Sequence, residues 1–310
     1  MTARHLVLDQ NAFRHAERLH GAIADVRAHG DQLLVPDIAV AEMMKGPLWE
    51  ATTRRSLAHL SREDPSLVVV GKGIGELLRE EQSSGVPAAD LVDEHVTSQF
   101  RALLGDLRNG TVSTLAHVRT AIAGAQTHAA RQHFDHARNR ATVARLVEVW
   151  KEEASEEEIK AVRRARPEDE LQIRQTLASD AFTRACVHAL KGAGYDDDTA
   201  VSLATTPSVS GHHFYGLASL SLRWVHGGLD TAKDETITND VADLDYIVTA
   251  SLCRGIVSRE GAVLEHDDRL RAVTRIRQAN VTATVDRLER EAEARRNMAD
   301  PGSQQSGGTP

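Results

Sequence analysis

Short apolar runs that end in turn residues occur near both ends of the chain, and their alternation with helical patterns constrains the fold most. His5–Leu8, Gln32–Val35 and Ser66–Val70 are three such runs, and apolar residues at helical spacing follow each of them. Strands that alternate with helices build parallel sheets, because a parallel pair needs a crossover connection. The first 82 residues therefore predict the start of an α/β fold with a central parallel sheet.

The rest of this α/β pattern is predicted near the C-terminus. The sequence predicts a helix at Asn239–Cys253, a strand at Gly261–Glu265 and a further helix at Asp268–Arg277. These elements resume the alternation that stops after residue 82. We expect them to complete the sheet that the N-terminal strands begin.

Between these two parts, helical patterns dominate and strand patterns are rare. Helical segments are predicted at Asp90–Leu107, Val112–Val149 and Glu156–Lys191. A connection of about 150 residues is long for a compact fold, which favours a role in gating a substrate or binding a partner protein. The predicted parts are a first core part at 1–82, an α-helical insertion at 83–235, a second core part at 236–284, and a charged helical tail with a disordered end at 285–310.

The composition excludes several classes of protein. Hydrophobic residues make up 41% and charged residues 26%, and no run of about 18 apolar residues is present to cross a membrane. A net charge of −8 argues against nonspecific coating of nucleic acid, because such binding needs local Lys and Arg. Cys186 and Cys253 lack the spacing of a disulfide framework or a zinc site. We expect a globular protein of the cytoplasm with no membrane partner.

Acidic residues follow predicted strands at the two distant ends of the chain. Asp9 stands directly after His5–Leu8, and Asp267 follows the strand predicted at Gly261–Glu265, with Asp268 as the alternative. The carboxyl ends of parallel strands meet at one edge of a sheet, where α/β proteins bind their ligands. We therefore predict that Asp9 and Asp267 lie close together.

A second pair of acids lies on one predicted helix. Asp240 and Asp243 are three positions apart, which puts both on one face within about one turn. Each of the four acids also has a purely structural interpretation, as a turn residue or N-cap after a strand or as an acid in the first turn of a helix.

Carboxylates gathered in this way form the oxygen ligand set that Mg²⁺ and Mn²⁺ prefer. Without a cation they raise each other's pKa, so a bare site of this kind attracts cations. A bound metal lowers the pKa of a coordinated water, and a second metal stabilises the leaving oxygen of a phosphodiester displacement. The predicted chemistry is metal-dependent hydrolysis without a protein nucleophile.

The acidic motifs also resemble those of a known family in their order along the chain. They are Asp9 in HLVLDQN, Glu42 in VPDIAVAEMMKG, Asp240 and Asp243 in TNDVADLDYIVTA, and Asp267 in VLEHDDRLR. This order is similar to that of the PIN-like nucleases, in which a Ser or Thr usually stands just before the last acid, where this sequence has Glu265 and His266. The resemblance covers roughly residues 4–70 and 236–280.

The resemblance implies a three-layer α/β/α core and a ribonuclease activity that depends on Mg²⁺ or Mn²⁺, as in toxins of toxin and antitoxin pairs. It implies that the metal ligands are Asp9, Asp240, Asp243 and Asp267, and that Glu42 is a ligand or orients the attacking water. RNA is the expected substrate, and an inhibitory or regulatory protein is an expected partner. A homodimer is also expected, because PIN-like proteins are often dimeric.

Two other functions stay open for this sequence. One is a PIN-like module that binds partners through the insertion without catalysis, although such a module gains nothing from the repulsion between its acids. The other is a metal-dependent phosphohydrolase of small nucleotides, which needs a closed pocket where a nuclease needs an open groove.

Arginines that would bind phosphate are predicted in two places, beside the last acid and in the insertion. They are Arg269, Arg271, Arg275, Arg131, Arg138 and Arg140.

Overall fold

A computed structural model of the chain describes residues 5–44, 47–110, 135–153, 167–225 and 228–299. Its sheet has four parallel strands, which are β1 (His5–Leu8), β2 (Gln32–Val35), β3 (Val68–Val70) and β4 (Gly255–Val257). The strands lie in the order β3-β2-β1-β4, so β1 pairs with both β2 and β4. The predicted α/β class with a central parallel sheet is confirmed.

Helices account for most of the other described residues. In chain order they are α1 (Gln10–Phe13), α2 (Ala16–His29), α3 (Asp37–Met44), α4 (Trp49–Leu57), α5 (Ile74–Ser84), α6 (Glu94–Asn109), α7 (His136–Glu153), α8 (Pro167–Leu177), α9 (Asp180–Gly192), α10 (Asp197–Thr205), α11 (Val209–Val225), α12 (Asp234–Leu252) and α13 (Gly261–Ala299). Within the described residues, none of these helices is long and apolar enough to cross a membrane.

Helices pack on both faces of the sheet, because successive side chains of a strand point to opposite sides. Leu6 and Leu8 of β1 face a core shared with α2, α3 and α6, whereas Val7 faces a second core shared with α5, α11 and α12. Val7 and Leu8 are completely buried. Burial of one such side chain stabilises the folded state by roughly 1.5–3 kcal/mol. The two cores therefore hold β1 in place.

The first two strand predictions are confirmed, and the third strand is shorter than predicted. The sequence predicts a strand at Ser66–Val70, but only Val68–Val70 is extended. Pro65–Leu67 forms a 3-10 turn instead, because the Asp64 side chain accepts a hydrogen bond from the N–H of Ser66 (2.9 Å) and proline has the fixed φ that the first position of such a turn requires.

The strand predicted at Gly261–Glu265 is wrong, because helix α13 begins at its first residue. The N–H of Leu264 donates to the carbonyl of Glu260 as in a helix, and the Leu264 side chain is 38% exposed. Val263 and Leu270 lie buried at helical spacing in one core cluster. The last strand of the sheet is β4, which ends before this segment begins.

The helices predicted for the insertion are observed where the structure describes them. Asp90–Leu107 corresponds to α6, and Val112–Val149 is described only from residue 135 onward, where α7 lies. Glu156–Lys191 is described from residue 167 onward and is divided into α8 and α9, because the Ser179 side chain caps α9 at the N–H of Phe182.

Parts of the predicted insertion pack directly on the sheet. Phe100 and Leu104 of α6 lie in the core that contains Leu6 and Leu8, and Val209 of α11 lies in the core that contains Val7. The insertion helices α6 and α11 therefore help to hold the sheet.

The C-terminal tail is part of a long helix. The charged helix predicted at Asp286–Met298 is the end of α13. The end predicted to be disordered, 301–310, lies outside the described residues.

Candidate metal centre

Asp9 lies at the carboxyl edge of the sheet, directly after β1. Its N–H donates to the carbonyl of Val257 at the end of β4 (3.1 Å), and the residue is only 4% exposed. Oδ1 caps α1 by accepting from the N–H of Asn11 (3.3 Å), and Oδ2 accepts from the hydroxyl of Ser258. Asp9 is therefore an N-cap and also a member of a larger polar group.

The turn after β4 brings a serine and a glutamate to the same edge. The buried hydroxyl of Ser258 accepts from the N–H of Glu260 (3.0 Å) while it donates to Asp9. Because a hydroxyl has one proton, this pattern directs the proton toward Asp9, which accepts it as a carboxylate. The side-chain amide of Asn11 donates to Oε1 of Glu260.

Helix α12 brings Asp240 and Asp243 to this region. The helix begins at Asp234, five residues before the predicted start at Asn239, because Asp234 and Glu235 are acids in the first turn, where the helix dipole favours them. Asp240 and Asp243 lie inside the helix rather than at its N-terminus. The interpretation of these two acids as N-cap or first-turn residues is therefore wrong.

Glu42 of α3 joins the group through a tyrosine of α12. The hydroxyl of Tyr246 donates to Oε2 of Glu42 (2.7 Å), and Tyr246 is 1% exposed. Burial raises the pKa of Tyr246 well above its usual range, and the charges of Glu42, Asp9 and Asp243 add to this rise. This tyrosine is consequently a neutral donor at all physiological pH values.

Asp243 is a half-buried acid whose pKa responds to the charges of four other carboxylates. Burial, together with the negative charges of Glu260, Glu42, Asp9 and Asp240, raises its pKa to about 8. Burial also raises the pKa of Asp9 and of Asp240. We call these five residues the acidic cluster: Asp9, Glu42, Asp240, Asp243 and Glu260. Without a cation, Asp243 keeps its proton near neutral pH.

Asp240 has an arginine on one side and an incomplete set of hydrogen bonds on the other. Nη1 of Arg223 lies 2.9 Å from Oδ1 of Asp240. Oδ2 of Asp240 and Nε1 of Trp224 are buried, and neither completes a hydrogen bond within the described residues. Burial raises the pKa of Asp240, whereas the Arg223 charge and the nearby indole N–H of Trp224 lower it.

Asp267 does not follow a strand at the carboxyl edge, so the position predicted for it is wrong. It lies on α13, and both of its carboxylate oxygens accept from Nε of Arg271 (3.0 and 2.9 Å). Arg271 also donates to the carbonyl of Cys253, just after the end of α12, which is near the opposite edge of the sheet. The alternative, Asp268, is 66% exposed and pairs with Arg174 (2.8 Å).

Where the predicted phosphate-binding arginines form ion pairs, their partners lie outside the acidic cluster. Three of them form ion pairs: Arg140, Arg269 and Arg271. Arg138 and Arg275 are exposed, and Arg131 lies outside the described residues. An arginine that does reach the acidic cluster is Arg223.

The donor set of the acidic cluster suits a hard divalent cation, because all five side chains offer carboxylate oxygens. The buried Oδ2 of Asp240 lacks a hydrogen-bond partner among the described residues, and the pKa of Asp243 is raised by burial and by repulsion that a cation would relieve. Among the described residues, no group of three or more His, Cys, Asp or Glu side chains is already arranged to hold a metal ion. A cation would need to draw the carboxylates together, and this is feasible since Glu260 is exposed and Glu42 is only partly buried.

Several residues of this region were missed by sequence reasoning. Ser258 and Glu260 follow a strand of only three residues, and the β-branched pair Ile256 and Val257 is the one local signal that could have indicated it. Arg223 lies on a helix of the insertion, and its sequence neighbours carry no sign of the acids it meets.

The comparisons with known proteins give no relative: no family model, curated protein or solved structure matches the chain.

Proposed function

We propose that this protein is a metal-dependent endoribonuclease with a PIN-like three-layer α/β/α core. The strongest support is the convergence of five carboxylates from β1, α3, α12 and the turn after β4 at the edge where α/β proteins bind ligands. Acids brought together from distant parts of a chain repel each other, and a divalent cation turns that repulsion into binding. A cation held by carboxylates is suited to hydrolysing a phosphodiester bond.

Four of the five carboxylates have the roles that the resemblance implies. The proposed ligands of Mg²⁺ or Mn²⁺ are Asp9, Asp240 and Asp243, and Glu42 is a ligand or orients the attacking water. RNA as the substrate, and action in the cytoplasm as a toxin or defence effector, are proposed from the resemblance to PIN-like nucleases.

Glu260 is proposed as the fifth carboxylate instead of Asp267. The carboxylate of Asp267 already accepts hydrogen bonds from Arg271, whereas the negative charge of Glu260 raises the pKa of Asp243. The PIN-like pattern of a Ser or Thr just before the last acid also has a counterpart in Ser258 and Glu260.

A bound divalent cation supplies Lewis-acid activation of water and stabilises the leaving oxygen. Several side chains of this protein would position or charge the carboxylates that hold such a cation. With a cation bound, Asp243 would release its proton, because a positive charge would lower the pKa that burial and four neighbouring carboxylates raise. Ser258 fixes Asp9 as an acceptor, and Tyr246 fixes the direction of Glu42.

The test is cleavage of RNA and DNA by the wild type and by the variants Asp9→Asn, Glu260→Gln and Asp267→Asn, with Mg²⁺ or Mn²⁺. We expect Asp9→Asn to lower RNA cleavage about 1000-fold, since several kcal/mol of charge stabilisation is lost. Glu260→Gln should lower it more than Asp267→Asn does per folded molecule.

Equal cleavage by the wild type and Asp9→Asn would contradict the proposal. No cleavage by the wild type with either metal would favour a binding module without catalysis. Hydrolysis of small nucleotides but not of RNA would favour a phosphohydrolase.

A further inference from the structure

Arg223 is an arginine of the predicted insertion that reaches the acidic cluster. It lies on α11, and its side chain is 51% exposed although its partner Asp240 is only 11% exposed. The guanidinium carbon lies 5.6 Å from the centre of the Trp224 ring. The arginine therefore rests against one member of the cluster and keeps half of its side chain open to solvent.

The two oxygens of Asp240 have different surroundings. Oδ1 accepts from Arg223, whereas the buried Oδ2 has no hydrogen-bond partner among the described residues. Trp224 is 9% exposed, and its buried indole N–H is also without a partner there. The indole N–H lies near Asp240 and lowers its pKa without completing a hydrogen bond, so a buried oxygen of Asp240 is left incompletely satisfied. Arg223 and an incoming cation would compete for the same carboxylate.

We infer that Arg223 binds a phosphate group of the polynucleotide beside the bond that is cut, and that it exchanges Asp240 for this phosphate when a divalent cation binds Asp240. This inference rests on the proposed function. Half of the Arg223 side chain is exposed, so solvent weakens the ion pair on that side and the guanidinium can leave Asp240 at little cost. The planar guanidinium can donate two parallel hydrogen bonds to a phosphate. A residue that served only to neutralise Asp240 would not need this geometry.

The exchange has an energetic signature that separates it from a structural role. Removal of Arg223 removes a phosphate ligand and also a competitor for Asp240. The affinity for RNA should therefore fall while the affinity for the cation stays equal or rises. A residue that only held α11 against α12 would weaken both when it is replaced.

Arg27 offers a matched control for Arg223. Its side chain is also 51% exposed, and its Nη2 lies 2.8 Å from Oε2 of Glu63. Arg27 lies in the last turn of α2, at the opposite edge of the sheet from the acidic cluster. Arg27→Gln therefore removes an equivalent ion pair far from the proposed substrate.

The experiment compares the full-length wild type with Arg223→Gln, Arg223→Lys and Arg27→Gln. Steady-state cleavage of single-stranded RNA is measured over a range of salt concentrations, and Mn²⁺ binding is measured by titration without RNA. We expect Arg223→Gln to raise KM about 10-fold with a much smaller change in kcat, because a charge-assisted contact to the substrate is lost. The slope of log KM against log salt should fall by about 0.7, as for one lost phosphate contact on a single strand.

Mn²⁺ should bind Arg223→Gln as tightly as the wild type or about 2- to 5-fold more tightly, since an exposed ion pair no longer competes. Arg223→Lys keeps the charge without the planar donors, so its KM should lie between those of the wild type and Arg223→Gln. Arg27→Gln should match the wild type in all three measurements.

Weaker Mn²⁺ binding in Arg223→Gln, or a KM equal to that of Arg27→Gln, would overturn the role of Arg223 even when the wild type binds Mn²⁺ and cuts RNA. A wild type that neither binds Mn²⁺ nor cuts RNA would instead overturn the proposed function, and this inference with it.

Discussion

Acidic residues have different partners at the two edges of the sheet. Near the amino edge, acids have arginine partners: Asp31 pairs with Arg254 (2.7 Å), and Asp267 accepts twice from Arg271. In the acidic cluster at the carboxyl edge, Asp9 accepts from a serine hydroxyl, and burial and the charges of other carboxylates raise the pKa of Asp243. Acidic residues occur at both edges, but near the amino edge the fold itself supplies the positive charge.

This difference locates function better than the number of acids does. Where an arginine is built in, an acid stabilises the fold and offers little to a ligand. Where hydroxyls and other acids are the neighbours, the charge is left for a cation to balance. Within the acidic cluster, Asp240 does have an arginine partner, and the ion pair of Arg223 and Asp240 is the one for which we propose an exchange.

The pH dependence of Mn²⁺ binding tests the carboxyl edge most strongly. The pKa of Asp243 is raised to about 8, so a cation must displace its proton at lower pH. Mn²⁺ affinity of the wild type should rise by up to about tenfold per pH unit between pH 6 and 8 and level off above that. Titrations at several pH values measure this.

Asp243→Asn is the matching variant for that titration. It has no proton to release, so the steep rise below pH 8 should be absent and binding should be weak throughout. An equally steep rise in the variant would show that another group governs the pH dependence.

Without metal, the raised pKa of Asp243 predicts the opposite trend for stability, which should fall as the pH rises. Its folded pKa lies above its unfolded value of 3.8, so the unfolded chain loses this proton first as the pH rises. The wild type should therefore lose stability relative to Asp243→Asn between about pH 4 and pH 8, by at most about 1.4 kcal/mol per pH unit. Urea unfolding of both proteins in a chelator, at pH 5 and at pH 8, measures the difference, and a constant difference would contradict it.

Asp267→Asn tests the other half of the comparison. The variant leaves the partly buried Arg271 without its carboxylate, so we expect a loss of about 2 kcal/mol in the free energy of unfolding. Cleavage of RNA per folded molecule should remain as in the wild type. Full stability together with lost cleavage would move Asp267 into the active site.

Tyr246→Phe should have the smallest effect of these changes. It removes the hydroxyl that donates to Glu42 and keeps the buried ring. One hydrogen bond of about 1 kcal/mol corresponds to roughly a fivefold loss of cleavage. Steady-state kinetics at saturating Mn²⁺ measures it, and Thr249→Val, which removes a buried hydroxyl elsewhere on α12, is the control.

The sequence predicted β1 and β2 because buried parallel strands are continuous apolar runs with turn residues beside them. It also predicted Asp9, since a strand end fixes where the next side chain lies. It did not predict β4, because three half-buried residues carry too little pattern to outweigh the apolar segment after Gly261. Local spacing likewise cannot distinguish Glu260 from Asp267, because tertiary contacts decide which carboxylate receives an arginine.

The pairing of β1 with β4 joins the first and the last strand of the described residues, with Leu6 opposite Gly255. During synthesis β1 leaves the ribosome long before β4 is made, because 249 positions separate Asp9 from its hydrogen-bond donor Ser258. A nascent chain therefore has no complete acidic cluster. The proposed nuclease therefore becomes active only after β4 has been synthesised and has paired with β1.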